Sequence, residues 1–115
     1  MSACTVIPSN KTVLFTDREQ HTVYMCDMKS GDGRVITHRK IQAPRGICAS
    51  LKGNVFVSSM YNHSIVQLSL LGDVIASHNA EMAFPRTVSV SRDGSRLVVS
   101  NCVGEKKIKL FNIIY

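Results

Sequence analysis

The sequence lacks the short motifs that mark common catalytic and metal sites. It has no G-x-S-x-G, no H-E-x-x-H, no phosphate-binding loop and no dinucleotide-binding fingerprint. Its four cysteines include no C-x-x-C pair and no partner histidine at metal-ligand spacing. We therefore expect no enzyme activity, no cofactor and no metal site in these 115 residues.

Long apolar runs are also missing. No stretch of 18 apolar residues occurs, and the first residues, MSACTVIPSNK, lack the basic and apolar segments of a signal peptide. Cys4, Cys26, Cys48 and Cys102 lie in or beside short apolar runs, where a free cysteine behaves as a small hydrophobe. We expect buried, reduced thiols in a soluble cytoplasmic protein that has no membrane partner.

Helical signals are absent too. No segment shows sustained 3.6-residue periodicity or a capping box, so we expect almost no helix. Instead, short runs rich in Val, Ile and Leu alternate with turn sequences such as KGN and DG, which are typical of hairpins. In the middle of the chain these signals predict four strands, at 46–50, 55–59, 65–70 and 74–78.

The strand pattern repeats along the chain. Val13, Val55 and Leu97 lie 42 residues apart, and each begins a run that ends in a hydroxyl residue: VLFT, VFVS and LVVS. Extra residues between copies fall in turns, where a repeated fold tolerates them. Four short antiparallel strands in each copy predict one blade of a β-propeller, and hence an all-β fold.

These repeats predict one partial propeller over residues 1–115. Its blades are expected at about 1–40, 41–82 and 83–115, with the last lacking its outer strand. A ring usually needs four to eight blades, so this one would be incomplete. The chain is then either a fragment of a longer protein, the alternative we favour, or a small protomer that closes a ring by assembly. A fragment made alone would expose open strand edges, which predict self-association.

The segment PRGICASLKGNVFVSSMYNHSIVQL resembles an NHL repeat, which is named for an Asn-His-Leu-type turn before the third strand. The resemblance covers nearly the whole chain: the second copy has Asn62-His63, the first has Gln20-His21, and the third has EKK instead. The third copy also resembles the related YVTN-type repeat through SRDGSRLVVSN. The absence of tryptophan disfavours the tryptophan-aspartate propeller repeat.

This resemblance implies a role. NHL propellers often form the C-terminal part of tripartite-motif proteins, in which a RING domain makes the chain a ubiquitin ligase and the propeller selects a protein or an RNA. No RING, B-box or coiled-coil sequence occurs here, so any ligase activity would reside in other domains.

The two turn histidines, His21 and His63, occupy equivalent positions in successive copies. Chemistry usually needs unlike groups that converge on one point, whereas these are like groups at a regular spacing. Neither has a carboxylate at a triad-like or metal-like spacing. We therefore predict that each ring bonds to the backbone or to a neighbouring strand and pins its hairpin.

Positive charge predominates, with 14 Lys and Arg against 8 Asp and Glu, which favours an acidic partner such as RNA over a basic one. On a propeller, the loops before the first strand of each blade and between its second and third strands open on one face. We place there the candidate binding residues Arg18, Arg45, Tyr61, Asn62, Arg86, Lys106 and Lys107, with Glu19 and Glu105 as opposing charges. The other face would carry Lys11, Lys29, Arg34, Lys52, Arg92 and Arg96, with Asp32, Asp73 and Asp93.

We compare three possible functions for these residues. Arg45 and Arg86, with Tyr61, can pair with phosphates and stack on bases of single-stranded RNA. The cations lie on both faces, however, and only 6% of residues are aromatic, which favours a protein partner. Some six-bladed propellers that resemble this chain hydrolyse esters or lactones around calcium, but Arg45-Gly46 and Arg86-Thr87 stand where acidic or amide ligands would be needed. We predict a protein-recognition module, with RNA binding as the alternative and a calcium-dependent hydrolase as the least favoured.

Overall fold

The computed structural model describes residues 3–7, 11–50, 53–101 and 104–113. Within them the chain forms eleven β-strands, and its one helical turn is a 3-10 turn at Met60–Asn62. In chain order the strands are β1 Ala3–Ile7, β2 Thr12–Asp17, β3 Thr22–Asp27, β4 Gly33–Ile36, β5 Pro44–Ala49, β6 Val55–Ser59, β7 Ser64–Leu68, β8 Val74–Asn79, β9 Pro85–Val90, β10 Arg96–Asn101 and β11 Ile108–Asn112. The prediction of an all-β chain is confirmed.

The strands form three antiparallel sheets, each a series of hairpins. Sheet 1 has the order β1-β2-β3-β4 and sheet 2 the order β5-β6-β7-β8, while the described part of sheet 3 has the order β9-β10-β11. All four strands that the sequence predicted in the middle of the chain are present as β5 to β8. The described residues contain no helix that is long and apolar enough to cross a bilayer.

The three sheets pack face to face in series, with sheet 2 in the middle. In β6, Val55 and Val57 pack in a core shared with sheet 1, while Phe56 packs in a second core shared with sheet 3. Alternate side chains of a strand point to opposite faces, so a strand covered on both faces reads as a continuous buried run. All five residues of β6 are accordingly buried.

The backbones of sheets 2 and 3 come close together at Gly46. A Cβ at this position would lie 2.5 Å from the carbonyl oxygen of Arg86 and 3.0 Å from the Cα of Thr87. Both contacts are to backbone, which cannot swing aside as a flexible side chain does. The glycine therefore permits β5 and β9 to pack backbone against backbone.

The cysteines only partly match the expectation of buried thiols. Cys4, Cys26 and Cys48 are free thiols, and burial raises the pKa of Cys48 to about 12. Cys4 is exposed, so the expectation of burial is wrong for this residue. Alternate residues of β1 point away from sheet 2, and no described residue covers that side. Cys102 lies outside the described residues.

Candidate functional site

The candidate site lies on the end of the sheets formed by the β2–β3, β6–β7 and β10–β11 turns together with the loops that lead into β5 and β9. We call this end the turn face. The antiparallel strand order brings these five segments to the same end of the molecule. All the predicted binding residues belong to these segments or to the strand ends beside them.

Each turn histidine bonds to the sheet that follows its own. The Nδ1 atom of His21 accepts a hydrogen bond from the Ala43 N–H at 2.9 Å, and Nδ1 of His63 accepts one from the Phe84 N–H at 3.0 Å. Ala43 and Phe84 directly precede Pro44 and Pro85 at the starts of β5 and β9. The histidine rings thus connect neighbouring sheets, with Nδ1 as acceptor and without a proton on that atom.

Backbone strain accompanies these bonds. His21 and His63 have φ of 53° and 51°, and their partners Ala43 and Phe84 have φ of 52° and 51°. Residues with a Cβ rarely adopt this left-handed conformation, and surrounding interactions must hold them there. The unusual φ at Ala43 and Phe84 could not be predicted, because neither residue is a glycine or an asparagine.

A second repeated bond fixes the backbone at the two aligned arginines. The Thr16 hydroxyl donates to the Arg45 carbonyl at 2.9 Å, and the Ser58 hydroxyl donates to the Arg86 carbonyl at 3.0 Å. Thr16 and Ser58 end the VLFT and VFVS runs, which are 42 residues apart. Arg45 and Arg86 therefore occupy equivalent, half-buried positions near the starts of β5 and β9.

Tyr61 and Asn62 lie over the loop that leads into β5. The Tyr61 side chain is 61% exposed, and its ring lies 6.1 Å from the His21 ring in a tilted arrangement. The Asn62 side-chain amide donates to the Lys40 carbonyl at 3.2 Å, which also accepts the Ser59 hydroxyl at 2.8 Å. These contacts hold the 3-10 turn against the 38–42 loop.

An open groove of about 330 Å³ lies on this part of the turn face. Its lining residues are Gln20, His21, Thr37, His38, Arg39, Ile41 and Gln42. The lining contains a guanidinium, two imidazoles and two amides, but no carboxylate. Such a donor-rich wall suits a ligand that presents carbonyl or anionic oxygens.

Sequence reasoning missed Arg39 and Lys40. Both precede the PRG motif in a loop that leads into a first strand, so the rule used for Arg45 would have assigned them to the same face. Arg39 is exposed and lines the groove, and Lys40 is half-buried beside it. The basic HRK sequence at 38–40 could have indicated these two residues.

The remaining predicted residues lie farther along the turn face. Arg18 begins the turn that ends at His21, whereas Lys106 and Lys107 are exposed in the β10–β11 turn. In the third copy Asn101 aligns with Ser59 of the second copy and, like Ser59, bonds to the loop that leads into its own sheet. Its side-chain amide donates to the Ala83 carbonyl at 2.9 Å, and its oxygen accepts the Lys107 N–H at 2.8 Å.

Metal-binding groups do not cluster in the described part of the chain, where no three His, Cys, Asp or Glu side chains come together. At Arg45 and Arg86, the positions considered for calcium ligands, the backbone carbonyls accept hydrogen bonds from the Thr16 and Ser58 hydroxyls.

Solved structures resemble the chain across almost its full length. Hydrazine synthase from Kuenenia stuttgartiensis aligns with a TM-score of 0.84 at 20% identity, over 95% of this chain and 33% of that one. A protein of unknown function from Desulfotomaculum acetoxidans DSM 771 aligns with a TM-score of 0.78 at 20% identity, over 96% and 37%. Virginiamycin B lyase from Staphylococcus aureus aligns with a TM-score of 0.72 at 18% identity, over 96% and 40%.

These likenesses define the fold. The chain has the β-propeller type of fold, and its described residues form three blade-like sheets that do not close a ring. It spans between 33% and 40% of the length of the three structures. No protein-family model matches the sequence, and no curated protein sequence matches it either.

Proposed function

We propose that the chain is a recognition module that binds a protein partner through the turn face. The observation that carries the proposal is the exposed Tyr61 ring, which contacts His21 at the edge of the groove. A rigid aromatic side chain next to a pocket is a frequent anchor of protein interfaces. Arg39, which lines the same groove, adds a planar donor for carboxylates or backbone carbonyls.

The partner segment should present acidic side chains or exposed carbonyl oxygens. The groove lining has no carboxylate to repel such groups, and the loop beside it adds Lys40. A basic partner segment would meet only like charges there, at a cost in affinity.

We further propose that the propeller is of the NHL type found in tripartite-motif proteins. The support is the recurring turn histidine, which bonds to the following sheet in two successive copies. In such a protein the chain would select the substrate, and a ligase domain elsewhere would modify it.

The test compares variants in binding to a purified partner, found by proximity labelling of cells and measured by titration calorimetry. Tyr61→Ala and Arg39→Ala should each weaken binding by tenfold or more. Leu71→Ala is the matched control, because Leu71 is 68% exposed on the β7–β8 turn at the opposite end of sheet 2. Equal binding by wild type and the Tyr61→Ala/Arg39→Ala double variant would refute the proposed surface.

Single-stranded RNA is the second candidate ligand. Arg39 and Lys40 bring two further cations to the face that carries Arg45, Arg86 and Tyr61. Arginine and tyrosine together supply the phosphate contacts and stacking platform that single strands use. The salt dependence that separates RNA from a protein partner is argued below.

A further inference from the structure

Three equivalent residues in the third strands differ sharply in exposure. Val23 of sheet 1 is fully buried and Ile65 of sheet 2 is 2% exposed, but Ile108 of sheet 3 is 76% exposed. Val23 is covered by sheet 2 and Ile65 by sheet 3. Ile108 points in the same direction along the series, and no described residue covers it.

Ile108 belongs to an open apolar surface that we call the trailing face. In the register of β10 and β11, Ile108 pairs with Ser100 and Leu110 pairs with Val98, so these four side chains share one face of sheet 3. Leu110 is 59% exposed, whereas Phe111 on the opposite face packs in the core shared with sheet 2. Ser100 is the third copy of Thr16 and Ser58, whose hydroxyls each donate to a carbonyl of the following sheet.

Sheet 1 has an open surface on the side that points away from sheet 2, and we call it the leading face. Cys4, Phe15, Tyr24 and Val35 are successive cross-strand partners and form one row across the sheet. The rings of Phe15 and Tyr24 stack at 4.8 Å, and Val35 is 63% exposed.

The corresponding row of sheet 2 shows what the leading face is built to do. Ile47, Val57 and Val66 are cross-strand partners there. All three are buried in the core shared with sheet 1. A row of this kind is therefore one half of a sheet-to-sheet interface that the chain already forms twice.

We propose that the trailing face of one copy packs on the leading face of a second copy, and reciprocally, so that two chains close a six-bladed ring. Each chain carries both halves of the repeated interface, one at each end of its series of sheets. A contact between unlike faces repeats from copy to copy and gives a closed ring where the rotation between copies allows it. Two copies supply six sheets, within the usual range of closed propellers, whereas three copies would supply nine.

The proposal predicts the mass of the purified 115-residue chain in light scattering after size exclusion. Across a dilution series the wild type should show a single species of twice its 12.7 kDa chain mass. A monomer at every concentration would overturn the proposal. So would large, polydisperse species, because they would indicate open filaments or edge-to-edge strand pairing instead of a closed ring.

Two charge variants test which faces meet. Ile108→Arg alters the trailing face and Tyr24→Glu alters the leading face. Ile108 is equivalent to Val23 of sheet 1 and Tyr24 to Val66 of sheet 2. Val23 and Val66 pack in the same core between those sheets, so Ile108 and Tyr24 should meet in the same way. Each variant alone should raise the dimer dissociation constant at least tenfold, because both junctions contain an altered face. Leu71→Arg, at a position about as exposed as Ile108 but on neither face, should leave the dimer unchanged.

Mixing the variants gives the decisive result. A heterodimer of the two has one unaltered junction and one in which arginine faces glutamate, so an equimolar mixture should recover the dimer. Circular dichroism and thermal melting confirm that each variant is folded, and Ile108→Glu with Tyr24→Lys provides a second pair. A dimer that survives the single variants, or folded variants that do not recover it on mixing, would overturn the assignment of faces.

Discussion

His63 accepts a hydrogen bond at Nδ1 from the N–H of Phe84 at 3.0 Å, and this bond joins the β6–β7 turn of sheet 2 to the residue that precedes sheet 3. The two rings also meet edge to face, with centroids 4.8 Å apart. His21 and Ala43 repeat the hydrogen bond one copy earlier. A single side chain thus orders a turn and sets the entry of the next sheet.

Replacing His63 by alanine should lower the free energy of unfolding by about 0.5–1.5 kcal/mol, because the exposed Phe84 N–H exchanges its bond to the ring for one to water. Urea unfolding monitored by circular dichroism measures the change. His78→Ala is the control, since His78 in β8 is also exposed but its ring contacts the Gln67 side chain of its own sheet rather than the backbone of the next. Partner binding should persist in folded His63→Ala. Unchanged stability together with lost binding would instead assign His63 a direct role in recognition.

Close packing at Gly46 gives a second prediction. Gly46→Ala would place a methyl group 2.5 Å from the Arg86 carbonyl oxygen, so β5 and β9 must separate. We expect a loss of about 1–3 kcal/mol or more in thermal or urea unfolding. Gly33→Ala provides the comparison, because the nearest atom to its new Cβ is the Met25 carbonyl oxygen at 3.8 Å. Equal stability of the two variants would contradict the close approach of sheets 2 and 3.

The acid titration of Asp93 gives a third prediction. Its Oδ1 accepts the Ser95 N–H at 3.0 Å and the hydroxyls of Ser95 and Ser91 at 2.7 and 2.8 Å. These hydrogen bonds, led by the Ser95 N–H, lower the pKa of Asp93 from 3.8 to about 2. A carboxylate whose pKa is lowered on folding stabilises the turn fully above pH 3.8, and this contribution is lost as pH falls through about 2.

Carboxyl chemical shifts in NMR should therefore give Asp93 a midpoint near 2. Ser95→Ala should raise that midpoint, because it removes the hydroxyl donor, whereas Ser89→Ala, at an exposed position of β9, should not. A midpoint near 3.8 in the wild type would show that the turn does not form these bonds in solution.

The sequence predicted the strands because each short apolar run is bounded by turn residues. Regular spacing also identified the turns of His21 and His63. The groove could not be predicted in the same way, since the course of the 38–42 loop depends on bonds from Ser59 and Asn62, which follow it by about 20 residues. Nor could the exposure of Cys4, because identical alternation in a strand leads to burial or exposure according to what covers the sheet.

The fourth prediction separates RNA from a protein partner. Binding of a mixed-sequence single-stranded RNA to the turn face would release counterions, so affinity should fall steeply as salt rises. Arg45→Ala and Arg86→Ala should each lower that salt slope by about one phosphate contact, and Tyr61→Ala should cost about 1–3 kcal/mol if a base stacks on its ring. Fluorescence anisotropy over a salt series provides the measurement.

Controls on the opposite end of the sheets keep this test specific, because a chain of net charge +6 attracts any polyanion. Arg92→Ala removes an exposed cation from the β9–β10 turn, away from the turn face. If Arg92→Ala lowers the slope as much as Arg45→Ala does, the RNA contact is nonspecific. A protein partner should instead show a shallow salt dependence and a large loss with Tyr61→Ala, because a few buried anchors dominate such interfaces. An absence of RNA binding at low salt would eliminate the RNA candidate and leave protein recognition as the function of the turn face.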